Sequence, residues 1–517
     1  MDTLKYEEDF KLLNQNFHLI KKLEKSQQNS ENESDDSKSD QINKLIEESI
    51  YKIEEIKVSE DQNLQLLGMK MTLLYERSKL LTNLNQHQDA EELLAQCLKD
   101  INDFITSKEL IYLSLRIINH YACLLSKRED YTEARKILEF GEKVYETADI
   151  KNGFWSSDDL FAGTLLATTN ATSRLEHLVT NNLQMLAFVY SKMELHDKFA
   201  EYHHRMLNRQ LVLDDKEPLV WSFQSTTLAA YLSANNRFEE AKNHLEAAEF
   251  VLKKYEDELK ALELSKEVSD KLKSIQEKLM IVAKGWVKYS LSLFNASISK
   301  MVEHLSQDLS PTGAMEQITV LSPPCEDIIN EIHEEENTDE DDSKLSSETK
   351  LLFKLNNVDS CPVSTTLVEN TCEARILFNY SHNYLTKIRM FYTLESNPME
   401  YVNAILDLSE LYRCLAFYEE EIESQYSVQK LRADAIEMLS TILRQVRPEC
   451  YIAVSIELLQ ELAEIQLDLL GLNLRRIYAA RDNIEDSQRR KVESLKHLHS
   501  KIQKFKNDSN DSSSSVL

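Results

Sequence analysis

Glycine and proline each occur only seven times in 517 residues, far below the roughly 7% and 5% of average usage. These residues supply the positive-φ and fixed-φ positions that tight turns and strand-rich folds consume. A chain this poor in them has few ways to build sheets. Leu, Ala, Glu, Lys, Gln and Met, all good helix formers, fill most of the remainder. The sequence predicts an all-α chain of helices joined by short polar turns, long enough for two or three ordinary domains or for one extended repeat array.

Internal repeats favour the array. A tetratricopeptide-type pair places Leu, a small residue and an aromatic on its first helix and a small residue early on its second, where the two helices cross closely. The run N-L-Q-M-L-A-F-V-Y has Leu183, Leu186, Ala187 and Tyr190 in those places, with Phe199 where Ala is usual. A second copy runs through Leu228, Ala229 and Leu232 to R-F-E-E-A at Ala241, then Leu245 and Ala248. Earlier copies end in Q-D-A-E-E-L-L at Ala90 and D-Y-T-E-A-R-K-I-L at Ala134. The anchors Ala90, Ala134, Phe199 and Ala241 lie 44, 65 and 42 residues apart, against about 34 in a standard repeat. The helices are therefore longer, and the interval from Gly153 to Thr180 reads as a long loop or a short extra helix.

From about Leu264 to Leu305 a helical period continues past Gly285 without another breaker, giving one or two long helices that link two halves. Pro311, Pro323, Pro324 and the acidic run Glu334 to Asp342 then mark a loop. Cys372 to Leu394, Met399 to Met438 and Cys450 to Ile477 read as three further helical stretches. The expected division is an N-terminal helix with an acidic insertion (1–60), a repeat array (61–252), linker helices (253–306), an acidic loop (307–350), a C-terminal helical half (351–505) and a disordered tail (506–517). The acidic runs Asn29 to Asp40 and Glu334 to Asp342 carry the composition of solvated, disordered insertions.

The formal net charge of −28 argues against nucleic acid and anionic membrane as partners, since both require a basic face. It favours a basic protein. Seven scattered cysteines with no C-x-x-C point to reduced thiols in the cytoplasm. No apolar run approaches the roughly 20 residues needed to span a bilayer, and the charged N-terminus is unlike a signal peptide. No two glycines lie closer than ten residues apart, which leaves no phosphate-cradling loop. Neither H-E-x-x-H nor a Cys pair offers a metal site, so no cofactor, metal or catalytic residue is expected. The pair His203 and His204 reads as a surface feature. Trp221, Trp286, Tyr190 and Tyr231 sit in helical apolar patterns and are expected in the core.

The segment from Asn181 to Leu252, containing L-A-F-V-Y, L-N-R-Q-L, E-P-L-V-W-S-F, T-T-L and E-A-K-N-H-L-E-A-A, resembles the KIF-binding (kinesin-binding) protein family. K-G-W-V-K-Y-S-L-S-L around Trp286, Y-S-H-N-Y-L-T-K-I-R-M-F-Y around Tyr380 and L-Y-R-C-L-A-F-Y-E-E-E-I-E around Leu415 continue the likeness in the same order. The resemblance implies a tetratricopeptide-like right-handed α-solenoid in two halves joined by a long linker helix. It also implies a cytoplasmic, cytoskeleton-linked monomer that binds kinesin motor domains on their basic microtubule-binding face and blocks attachment to microtubules. Gln210 in L-N-R-Q-L and Thr227 in T-T-L fall on partner-binding positions with the family's residue type. Met185 and Phe188 fall on others, where the family commonly shows an aromatic and an amide. The family's final helices are missing from the resemblance. The alternative from a different interaction class is a tetratricopeptide scaffold or co-chaperone that clamps the acidic peptide tail of another protein.

Overall fold

The computed structural model describes residues 2–28, 35–56, 60–150, 153–164, 171–262, 265–308, 350–354, 362–446, 452–479 and 496–503. Among them the regular structure is helical, with no strand. The run Glu334 to Asp342 and the tail lie outside the described residues. The chain forms two compact units, Met1–Lys216 and Glu217–Leu517, each a solenoid-like stack of helices.

In the first unit, α1 (Asp2–Gln28) pairs with α2 (Asp35–Glu55), α3 (Glu60–Asn83) with α4 (His87–Ile101), α5 (Ile111–Lys127) with α6 (Tyr131–Thr147), and α8 (Ala171–Lys192) with α9 (His196–Val212). Each pair lies against the next. Leu13, Phe17, Ile20, Ile42 and Ile46 recur at three- and four-residue spacing and are fully buried, the amphipathic stripe that drives α1 and α2 together. For the part from Asp35 to Asp40 that stripe corrects the reading of Asn29 to Asp40 as a disordered insertion, residues 29–34 lying outside the described residues. The helix already runs at Asp35, and Ser39 is buried.

The bends between paired helices repeat one hydrogen-bonded design. Asn85, Glu129, Glu194 and Asn236 all adopt left-handed φ between 59° and 66°. In each case the next residue's N–H reaches back to a carbonyl five positions earlier, as from Gln86 to Leu81 and from Asp130 to Leu125. This helix-ending motif usually takes glycine, and its use of other residues explains how a glycine-poor chain turns so often. Beyond the bends the small anchors Ala90, Ala134 and Ala241 are fully buried at the helix crossings. Phe199 departs from the expectation. It is only half-buried, and its neighbour Ala200 is fully buried instead. A phenyl ring does not fit so close a crossing, so α9 turns its next residue inward.

The interval after Gly153 holds a short helix, α7 (Ser157–Ala162), closed by a reciprocal Ser156–Asp159 capping box and by Gly163 at φ 71°. Phe161 of α7 stacks on Phe17 of α1 at 4.0 Å. The rest of the expected loop, from Ala171, is the first part of α8.

The second unit opens with α10 (Pro218–Ala234) and α11 (Phe238–Lys260), which pack on α12 (Lys266–Asp308), a single helix of 43 residues. After it, residues 350–354 and 362–370 form an extended strap rather than a helix. Asn243 of α11 makes the strap's place by bonding Phe353 as a strand would, accepting from its N–H at 2.7 Å and donating to its carbonyl at 3.2 Å. The Phe353 ring fills the space between Trp221 and His244. Tyr289 then donates to the Ser364 carbonyl, and the Val368 N–H donates to Ser297 Oγ.

Next come α13 (Thr371–Phe391), α14 (Pro398–Tyr418), α15 (Ile422–Val446) and α16 (Ile452–Ala479). The sequence showed Met399 to Met438 as one helical stretch, but it breaks at Glu419, which has extended backbone. Glu419 is buried and accepts two bonds from Arg375, at 2.9 and 2.6 Å. Deep in this stack Arg432 is 1% exposed and donates to Ser409, Glu461 and Asp468. Burial alone would raise the Glu461 carboxyl, but Ser409 and Arg432 outweigh it and hold the group low.

Candidate functional site

Helix α8 buries Leu183, Leu186, Ala187, Val189 and Tyr190 against α6 and α9. Its opposite face therefore points to solvent, and Phe188 stands there 49% exposed. An edge of Tyr131 approaches the Phe188 ring at 6.4 Å, and the Lys192 ammonium lies 5.7 Å from its centroid. Met185, one turn earlier, is half-buried beside the same face. Gln210 sits in the last turn of α9, at the open end of the hairpin and away from the bend next to Phe188. Its carbonyl accepts from the Asp215 N–H at 3.1 Å, closing a left-handed turn at Asp214. The first unit thus gathers Met185 and Phe188 on one helix face and places Gln210 separately.

Thr227 belongs to the second unit, exposed on α10, its hydroxyl donating to the Phe223 carbonyl at 2.9 Å. Val220 and Phe223 share this outward face and are 44% and 45% exposed. The Lys278 ammonium of α12 rests 4.9 Å from the Phe223 centroid. Sequence reasoning did not single out Val220, Phe223 or Tyr131. For α10 a signal existed, because the helix is apolar on its outer side as well as around Trp221 and Leu228, which a helix with one buried stripe is not.

Glu139 accepts from the Tyr190 hydroxyl, Glu142 from Tyr202 and Arg205, and Glu176 from Tyr145 and Arg209. These charge-assisted bonds tie α6 to α8 and α9 from within and set the angle at which Phe188 is presented. Burial pushes the Tyr190 and Tyr202 hydroxyls up, so they stay protonated donors. The pair His203 and His204 is not the surface feature its sequence suggests. His204 is buried, and His203 is half-buried with burial depressing its pKa to about 4. His203 is therefore neutral at neutral pH, and both rings lie inward because α9 buries a wide stripe that includes Tyr202, Met206 and Leu207.

A second set of ionised groups joins α1, α3 and α5. Glu76 is 1% exposed and accepts from both Lys79 and Arg116, which with burial-opposing effect hold its carboxyl low. Glu24 bonds Lys79 at 3.2 Å. Burial and the neighbouring Glu76 charge raise it to about 7. His120 is driven by burial and nearby cations down to about 4.

In the second unit the three segments that carried the resemblance meet in one core. Trp286, 1% exposed, meets Tyr380 edge-on at 5.3 Å and stacks on Tyr384 at 6.2 Å. Glu249 accepts from both the Trp286 indole and the Tyr384 hydroxyl. Phe294 packs on Tyr418 at 5.8 Å. Trp221 and Tyr190 are buried as expected, whereas Tyr231 is half-buried. No helix among the described residues is long and apolar enough to cross a membrane.

Hairpins with recurrent bends, small residues at the crossings and outward aromatic faces define an all-α, solenoid-like repeat protein. A family model described as "KIF-1 binding protein C terminal" matches residues 219–509, and the chain belongs to the KIF-binding protein family. It is 26% identical over 439 residues to the KIF-binding protein of Danio rerio, covering 81% of this chain and 66% of that one. It is 24% identical over 431 residues to the protein of that name in Homo sapiens, again covering 81% and 66%. The match thus spans about two thirds of the length of these relatives. A solved structure titled "Kinesin binding protein (KBP)" superposes with a TM-score of 0.60 at 18% identity, over 96% of this chain and 81% of the other. At that identity the likeness shows the fold.

Proposed function

We propose that this chain binds kinesin motor domains and, by covering their microtubule-binding face, keeps them off the microtubule. The observation that carries the reading is the 439-residue match to a protein named for KIF binding. The charge of −28 suits a basic partner surface and would steer its approach. An outward aromatic ring on a rigid helix supplies contact area at little entropic cost, and a neighbouring thioether adapts to the partner's shape. Phe188 and Met185 on α8, Gln210 on α9 and Thr227 on α10 are the contacts assigned to the motor. The action is steric occlusion by a monomer in the cytoplasm and on the cytoskeleton, with no catalysis of its own.

The test is a panel of purified motor domains. The expected result is a salt-sensitive one-to-one complex with at least one motor and suppression of its microtubule-stimulated ATPase. Phe188→Ala should weaken that complex about tenfold, or ~1.4 kcal/mol. A panel that yields neither complex nor suppression rejects the reading.

A further inference from the structure

We propose that the cleft walled by α1, α3, α5, α7 and α8 in the first unit is a binding site for a compact polyphosphate anion. This goes beyond motor binding, since a basic cleft repels a basic motor face and calls for a ligand of opposite sign.

The cleft has a volume of about 740 Å³, within the range of small-molecule sites. Six cations converge on it from four helices: Lys21, Lys22 and Lys25, Lys79, Arg116, and Arg174. Among the described residues three carboxylates face them, Glu24, Glu76 and Asp158, so the described lining is positive inside a chain whose net charge is −28. Two of the cations are fixed before any ligand arrives. Glu76 holds Lys79 and Arg116 together, and Arg116 also donates to Ser157 at 3.1 Å and lies 4.3 Å from the Tyr75 centroid. Asp158 engages Lys21 and, at 3.9 Å, Arg174. Lys22 and Lys25 are exposed at the rim and make no ion pair among the described residues.

Glu76 and Asp158 each serve two cations, which leaves the set with more positive than negative charge, and an added anion would lower the remaining repulsion. The mixture of a guanidinium fork and point-charge ammonium groups matches phosphate oxygens. The cations surround a volume from several sides rather than following a line. An extended acidic peptide puts same-side carboxylates about 7 Å apart and would reach only part of the set, whereas a chain of linked phosphates concentrates its charge in the middle.

The experiment is calorimetric titration of the full chain with inorganic tripolyphosphate at low ionic strength, where screening is weakest. The expected result is saturable one-to-one binding. The triple variant Lys22→Ala, Lys25→Ala, Arg174→Ala should lose at least tenfold in affinity while keeping its helical content, because these residues are exposed and outside the buried network. Glu24→Gln, which removes one opposing carboxylate, should bind severalfold tighter at pH 8. A Lys271→Ala, Lys273→Ala control on α12 should bind as the unaltered chain does. Absence of saturable binding, or equal binding by the triple variant, overturns the assignment. Tighter binding of a polyglutamate peptide of equal charge also overturns it, in favour of an acidic peptide.

Discussion

Replacing Gly285 by alanine tests the packing of the second unit, because two opposing effects of known size meet there. In an exposed helix interior the change stabilises by about 1 kcal/mol. At Gly285, near the middle of α12, a Cβ would stand 2.8 Å from Leu245 Cδ2 and 2.9 Å from Thr226 Cγ2, against an ordinary carbon contact of about 3.5–4 Å. Leu245 is 1% exposed, and Thr226 is pinned by the bond from its hydroxyl to the Ser222 carbonyl at 2.8 Å. Overpacking of this kind costs about 1–3 kcal/mol, so the net expectation for Gly285→Ala is a loss of about 1 kcal/mol. Gly471 of α16 supplies the control. Its Cβ would meet nothing within 4 Å, and Gly471→Ala should gain about 1 kcal/mol. Adding Thr226→Ser to Gly285→Ala removes one of the two close contacts and keeps the hydroxyl, while Leu245 Cδ2 stays in place, so it should recover roughly half of the loss as a coupling of about 0.5 kcal/mol. Urea unfolding followed by tryptophan fluorescence in a Trp155→Phe background, which silences the first unit's tryptophan, reads this unit through Trp221 and Trp286, both 1% exposed. If Gly285→Ala proves as stable as Gly471→Ala, the close crossing of α10, α11 and α12 is wrong. On the proposed motor contact at Thr227, the next residue on α10, Gly285→Ala should also weaken motor binding.

Glu129→Gly and Glu194→Gly should each raise stability by about 1 kcal/mol in chemical denaturation, because both glutamates hold a left-handed φ that only glycine adopts without cost. Arg432→Ala should cost about 3 kcal/mol in the same assay, since it takes the cation from the part-buried Glu461 carboxylate and empties the space of a side chain that is 1% exposed. Glu24→Gln should change the pH dependence of stability. The Glu24 carboxyl, raised to about 7 in the folded chain, binds its proton more tightly there than in the unfolded chain. Its contribution is therefore favourable at low pH and is lost as pH rises from about 4.5 to 7. The variant lacks that slope and should gain on the unaltered chain at pH 8 relative to pH 5, as thermal melts at the two pH values will record.

The helices were legible because their signal is local. Ala90, Ala134 and Ala241 reach the crossings, and Trp221 and Trp286 reach the core, since periodicity alone places them on a buried face. Features decided by partners distant in sequence were not legible. The break at Glu419 has no glycine or proline to announce it and depends on Arg375, 44 residues away. The strap at Phe353 is extended because Asn243 offers it a strand-like partner. His204 is interior because α9 is packed more broadly than its polar sequence suggests. At the candidate site, Met185 and Phe188 could be seen to share a face from their three-residue spacing. The edge of Tyr131 over that face comes from a different hairpin, and no sequence pattern encodes it.

Helix α12 is one uninterrupted rod of 43 residues, about 65 Å long at 1.5 Å per residue, and it touches α10, α11, α13 and α14. Such a rod acts as a ruler. Inserting one residue near Gly285 would shift everything beyond it by ~1.5 Å and swing it by about 100°, pulling Tyr289 from the strap and Lys288 from Asp407 at once. Changes of residue type on its outer side can drift freely, but its length is frozen. Two proteins of this family that differ in the length of this helix must therefore differ in whole turns, or else rebuild the stack around it.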